Sequence, residues 1–159
     1  MGSDSDLPTM QSALAVLEKF GVAIEVKITS AHRTPAATHA YVKDADARGC
    51  KVFIAAAGLA AHLAGTMAGL TVKPVIGVPM DAGPLHGVDA LLSTVQMPGG
   101  IPVASMAIGK AGAVNAGYLA IQILALNDAN LAQKLLQDRE ANAKQIREKD
   151  ATVQQKISN

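Results

Sequence analysis

The sequence predicts an α/β protein with a parallel sheet covered by helices on both faces. Short runs rich in Val, Ile and Ala at 22–28, 51–57 and 74–79 alternate with longer stretches of helical spacing, the βαβ pattern of a parallel sheet. Gly21 and Gly49 stand where the first two helices should stop. A length of 159 residues suits a single core.

The elements follow in order. Leu7, Met10, Leu14 and Leu17 recur at helical spacing, and the alternating segment 22–28 (VAIEVKI) then reads as a strand. Pro35 to Arg48 predicts a helix and Lys51 to Ala57 a buried strand. Ala60 to Leu70 reads as a helix and Pro74 to Pro79 as another strand. A short helix over 88–95 and a strand over Ile101 to Ile108 precede an apolar helix at 111–126 and a polar, charged one at 128–155. The expected organisation is a single α/β domain over 1–127 and a helical extension over 128–159, packing on the domain or on a neighbouring subunit. Because helix 111–126 is apolar around most of its circumference, with Val114, Leu119, Ile121, Ile123 and Leu124 on more than one face, part of it should meet another subunit.

Half of the residues are hydrophobic, 17% are charged and the net charge is +1, which argues against broad electrostatic binding of nucleic acid or membrane. A phosphate would have to be gripped locally. The uncharged run Val52 to Val72 is long enough for a membrane span, but Gly58, Gly65, Gly69 and His62 interrupt it. The start, MGSDSDLP, lacks the pattern of a secretory signal. With Cys50 alone no intramolecular disulfide is possible, so a buried structural thiol and a reducing cytoplasm are expected.

Ligands of a parallel α/β sheet sit beyond the carboxyl ends of its strands, where four loops should meet here. Gly2-Ser3-Asp4-Ser5-Asp6 offers hydroxyls and backbone N–H groups suited to phosphate, although Ser and Asp before a helix are also ordinary caps. Ser30-Ala31-His32-Arg33-Thr34-Pro35 is sharper. It sets one of only four arginines, a residue able to hold phosphate with two prongs, beside a histidine able to carry a proton near neutral pH. Ala57 to His62 forms the third loop, and Gly77-Val78-Pro79 leads into the fourth. His32 and His62 each have a structural reading as well, and His39 and His86 read as surface residues. No HExxH, paired CxxC or GxGxxG occurs, so neither a metal nor a dinucleotide cofactor is expected.

Taken together, GSDSD, SAHRTP, AGLAAHLAG, GVP and LLSTVQMPGGIPVA resemble, in order and spacing from Gly2 to about Ala125, the aminoimidazole ribonucleotide carboxymutase family of bacteria and fungi. The resemblance implies a three-layer, flavodoxin-like α/β/α sandwich whose first strand is largely missing from this chain. It also implies an octamer with shared sites and no cofactor. The implied activity is isomerisation of N5-carboxyaminoimidazole ribonucleotide to 4-carboxy-5-aminoimidazole ribonucleotide. By the same resemblance His32 is the general acid and base. Ser3, Asp6, Ser30 and Arg33 bind the ribose-phosphate, and Ala57, Gly58, His62 and Leu63 cover the aminoimidazole and carboxylate. Small apolar residues such as Ala57 and Ala60 would wall a dry pocket that retains carbon dioxide.

Three departures stand out. The family's apolar first strand precedes GSDSD, whereas this chain opens at Met1. Leu59 and Ala64 occupy positions where the family usually has Gly and Pro, and residues 81–86 (DAGPLH) differ from its usual connecting loop. Two other activities fit parts of the pattern. One is a carboxylase using aminoimidazole ribonucleotide and free carbon dioxide, whose pattern usually departs from SAHRTP and AAHL. The other is a non-enzymatic module binding a phosphate-bearing ligand such as FMN, against which the lack of loop aromatics counts.

Overall fold

The computed structural model describes residues 1–158. After a 3-10 turn at Asp4–Asp6 come α1 (Leu7–Lys19), α2 (Pro35–Ala47), β1 (Phe53–Ala57), α3 (Leu63–Ala68) and β2 (Val75–Pro79). They are followed by α4 (Val88–Val95), β3 (Ala104–Ser105), α5 (Lys110–Ala125) and α6 (Ala129–Ile157). The strands form a parallel sheet in the order β1-β2-β3, with Phe53 opposite Val75, Ala57 opposite Pro79 and Ile76 opposite Ala104. Contacts divide the chain into residues 1–123 and residues from Leu124 onward. The second unit is dominated by α6, whose N-cap Asp128 accepts the N–H groups of Asn130 and Leu131 at 2.9 and 3.0 Å.

Both sheet faces are buried, as parallel strands require. On one face Phe53, Ala55 and Val75 pack with Leu63, Ala64 and Met67 of α3 and with Val42 and Ala45 of α2. Ile76 and Val78, which point the other way along β2, are 0% and 1% exposed, so that face is covered too. Gly77 sits where a Cβ would run into Thr94 of α4 and meet Val103 and Ala64, so glycine lets α3 and α4 descend onto the sheet. Gly117 similarly brings α5 against Ala13 and Val16 of α1. Beside it Phe20 and Tyr118 stack edge to face at 5.9 Å.

The expected helices and the strands at 51–57 and 74–79 form, with ends shifted by at most three residues; the strand expected over Ile101 to Ile108 shrinks to Ala104–Ser105. Segment 22–28 differs more, because it carries no ladder. Met1 donates from its amino nitrogen to the Lys27 carbonyl at 2.8 Å, and its own carbonyl accepts from Thr29 N–H at 3.0 Å. That pair of bonds is the parallel pattern opposite Ile28. The next residue turns to the other side, Gly2 N–H donating to Ala56 of β1 at 2.9 Å. Successive residues bonding to opposite neighbours is how an interior strand behaves, so 22–28 and β1 stand two strand spacings apart there, about 9.5 Å. Among the described residues the alternating segment therefore meets Met1 at Lys27 and Thr29 and forms no longer ladder. Glu25 is held at its far edge by both Arg48 guanidinium nitrogens at 2.7 and 3.1 Å, whereas Ile24, Val26 and Ile28 remain 36%, 48% and 52% exposed.

Two other expectations change. Ile121 of α5 is fully buried, while Val114, Leu119, Ile123 and Leu124 are half-buried. Ile121 therefore serves its own subunit's core, not a surface between subunits. Cys50 is only half-buried; its thiol donates to the Val52 carbonyl at 3.3 Å, and burial pushes its pKa up.

Candidate active site

The site grows from the carboxyl end of β1. Gly2, tied to the Ala56 carbonyl, starts the first turn and lies against Ala57 and Asp6. Ser3 and Asp6 then cap their own turn reciprocally. Ser3 N–H donates to Asp6 Oδ2 at 3.0 Å, and Ser3 Oγ accepts the Ser5 N–H at 3.3 Å. The Ser5 hydroxyl also donates to Ser3 Oγ at 2.9 Å, and Ser3 donates to Asp4 Oδ1 at 3.1 Å. Asp6 is buried. Desolvation pushes its carboxyl pKa up, partly offset by the N–H groups of Ser3 and Gly2 and by the chain's amino group.

The second turn is held by hydroxyls. Arg33 N–H donates to Ser30 Oγ at 3.1 Å, and Ser30 N–H donates to Thr34 Oγ1 at 2.9 Å. Buried Thr38 completes the lattice at 2.7 Å from the Thr29 hydroxyl. With its backbone fixed, the turn presents His32 and Arg33 as exposed side chains. The Arg33 guanidinium reaches the Gly2 carbonyl at 3.3 Å and so joins the second turn to the first.

The third loop leaves β1 at Ala57, passes Gly58 and enters α3 through His62. His62 Nδ1 lies 2.7 Å from His32 Nε2, with ring centroids 4.8 Å apart and planes at 85°. At that separation one ring presents a hydrogen and the other a lone pair, so the facing nitrogens carry one hydrogen between them. Met80, just beyond β2, donates its N–H to the Ala57 carbonyl at 2.9 Å and brings the fourth loop alongside. The four loops are thus linked in series.

Of the residues singled out from sequence, Ser3, Asp6, Ser30, His32, Arg33, Ala57, Gly58 and His62 lie along this linked edge. Leu63 differs, because its side chain is 2% exposed and belongs to the core cluster with Phe53 and Ala55. Ala60, expected as a pocket wall, is exposed; its neighbour Ala61 is the buried residue. His39 is exposed on α2, and His86 stands 3.7 Å from Asp81 at the surface. Sequence reasoning passed over Thr34 and Thr38, since two threonines among helix-forming residues give no signal until their partners are known. It also gave no role to Ala82 and Gly83, which support the third loop. Among the described residues no group of three His, Cys, Asp or Glu side chains could hold a metal ion, and no helix is long and apolar enough to cross a membrane.

Comparison with known proteins gives the family of the chain. The AIR carboxylase family model matches residues 1–145. The N5-carboxyaminoimidazole ribonucleotide mutase of Bacillus subtilis is 56% identical over 91% of this chain and 89% of that protein. The mutase of the same name from Synechocystis is 53% identical over 97% of this chain and 86% of its own length. The crystal structure of Treponema denticola PurE superposes with a TM-score of 0.87 at 30% identity, covering 96% of this chain and 94% of that one. With a family model spanning most of its length and relatives more than half identical to it, the chain belongs to the AIR carboxylase family.

Proposed function

We propose that the protein isomerises N5-carboxyaminoimidazole ribonucleotide to 4-carboxy-5-aminoimidazole ribonucleotide in purine biosynthesis. The observation that carries this reading is the His32–His62 contact beside Arg33 and the Ser3–Asp6 turn, in a chain whose relatives are named as that mutase. Arg33 holds the phosphate, Ser30 and Ser3 add hydroxyls, and Asp6 takes a ribose hydroxyl. Protonated His32 gives its proton to the carbamate nitrogen. The C–N bond then breaks with its electron pair left on nitrogen, releasing carbon dioxide. The ring carbon attacks the trapped gas through the enamine pair, and neutral His32 removes the hydrogen from that carbon to restore the aromatic ring. One proton is lent and returned, so no redox partner is needed. Ala57, Gly58, His62 and the backbone of Leu63 cover the reacting end, and His62 keeps His32 Nε2 aimed.

The carboxylase reading is less favoured because the Bacillus subtilis and Synechocystis relatives are named as mutases. The catalytic domain is read as 1–127, with helix 128–159 packing on it or on a neighbouring subunit. The assembly expected is an octamer in the cytoplasm, a compartment that suits the lone Cys50. An exposed apolar stripe of Leu85, Val88, Leu92 and Val95, 58%, 51%, 54% and 47% accessible, supports assembly through α4.

His32→Asn should lower turnover at least roughly a hundredfold while ribonucleotide binding persists, since an amide keeps the shape but shuttles no proton. Near-normal turnover would remove His32 from the mechanism. Arg33→Lys should weaken ribonucleotide binding roughly tenfold, as a point charge cannot reproduce a two-pronged contact; equal affinity by calorimetry would show that Arg33 is no phosphate ligand. Leu92→Asp should split the assembly in light scattering and abolish turnover, because burying an unpaired charge costs several kcal/mol. A fully active monomer would sink the claim that assembly builds the site.

A further inference from the structure

Two loops cross at the carboxyl ends of β1 and β2, and the sequence departs from its family's usual pattern in both. The first runs from Gly58 to His62. The second, Asp81 to Gly87, connects β2 to α4 and supports the first through Ala82 and Gly83. Among the described residues only Leu59 (φ +56°) and His86 (φ +47°) are non-glycine residues with positive φ, and one lies in each loop. Leucine has no local preference for that region, and its Cβ makes the conformation unfavourable. Such a residue persists where its surroundings over-determine it, and the surroundings of Leu59 are specific. Gly83, itself at φ +69°, has no Cβ, and a Cβ built there would overlap Leu59 Cδ2. The absent methyl leaves the seat that the leucine occupies. One residue earlier, a Cβ on Gly58 would come within 3.0 Å of the Ala82 Cβ and 3.5 Å of the Met80 Cβ. Consecutive residues Gly58 and Leu59 thus rest on Met80, Ala82 and Gly83. The platform is fixed in turn by the Met80 N–H bond to the Ala57 carbonyl.

This contact bears on the histidine pair. Only Ala60 and Ala61 separate Leu59 from His62, and His62 N–H bonds back to the Ala60 carbonyl at 2.9 Å, so the intervening turn is tight. A shift at Leu59 is passed to the ring that meets His32 at 2.7 Å. Leu59 is 52% exposed, too open to be a core residue.

We propose that Leu59 and Gly83 form a brace that positions His62 against His32, making them positioning residues for the isomerisation. The leucine seated on the glycine is the specific contact, and the strained backbone at Leu59 is kept because the brace needs the side chain there. The inference rests on the reading of His32 as the proton shuttle.

A double-mutant cycle of Leu59→Ala and Gly83→Ala on the full-length protein tests it. The backbone strain that an alanine brings to position 83 is the same in both backgrounds and cancels in the cycle, leaving the side-chain contact. Turnover of N5-carboxyaminoimidazole ribonucleotide is measured for all four proteins, with KM, Tm and the imidazole nitrogen signals of His32 and His62. We expect each single change to lower kcat about tenfold with little change in KM. The double variant should be no worse than Leu59→Ala alone. Leu59→Gly, which relieves the strained backbone, should match or exceed the wild-type Tm yet lose kcat to the same degree. Unchanged kcat in Leu59→Ala and Leu59→Gly, or strictly multiplicative losses in the cycle, would overturn the brace. An inert wild type would instead overturn the reading of the reaction. The imidazole signals would then decide the brace alone: both single variants should displace the His62 signal, and an unmoved signal would reject it.

Discussion

The carbonyl oxygens of Ala56 and Ala57, adjacent in sequence and directed to opposite edges of β1, anchor the loops on either side of that strand. Ala56 accepts from Gly2 and so fixes the start of the Ser/Asp turn; Ala57 accepts from Met80 and fixes the loop after β2. Between them the chain of β1 itself continues into Gly58 and His62. Arg33 then reaches the Gly2 carbonyl and His32 meets His62, so the SAHRTP turn docks on both neighbours at once. Parallel pairing orders the carboxyl ends of neighbouring strands at one edge, and short loops keep the chemistry there. Disturbing the end of β1 would loosen all four loops together.

Small residues make this crowding possible. Gly77 in the middle of β2 lets α3 and α4 lie close on the sheet, and Gly117 lets α5 meet α1. Helices that approach so closely leave little room for large side chains at their contacts. The chain correspondingly carries 3% aromatic residues and 14 glycines. The hydroxyl lattice of Thr29, Ser30, Thr34 and Thr38 works at the same scale, replacing bulky packing with short hydrogen bonds beneath the exposed His32 and Arg33.

Much of the fold was legible because periodicity reports burial directly. The helix at 88–95 and the strands at 51–57 and 74–79 carry apolar patterns that tertiary contacts leave almost unchanged. Segment 22–28 shows the limit of such reading: its alternation is that of a strand, but a ladder needs a neighbour, and among the described residues its backbone pairs with Met1 at Lys27 and Thr29 without forming one. Ile121 shows another limit. An all-round apolar helix does not reveal which side faces its own core, and here Ile121 faces inward. At the site, motif chemistry pointed to His32, Arg33 and the Ser/Asp turn. It could not say that His62 would lie within hydrogen-bonding distance of His32, because thirty residues separate them in sequence. Nor could it assign Leu63 correctly to the core, since motif membership does not say which way a side chain points.

In the proposed mechanism His32 and His62 act as one unit in a nucleotide site, apart from the chain's other histidines. The chain has four histidines, so their ring nitrogens can be followed separately by NMR while 4-carboxy-5-aminoimidazole ribonucleotide is added. The His32 and His62 signals should move together and saturate at one ligand concentration, while His39 and His86 stay where they were. Movement of His39 or His86 with His32 unmoved would contradict the paired-histidine site.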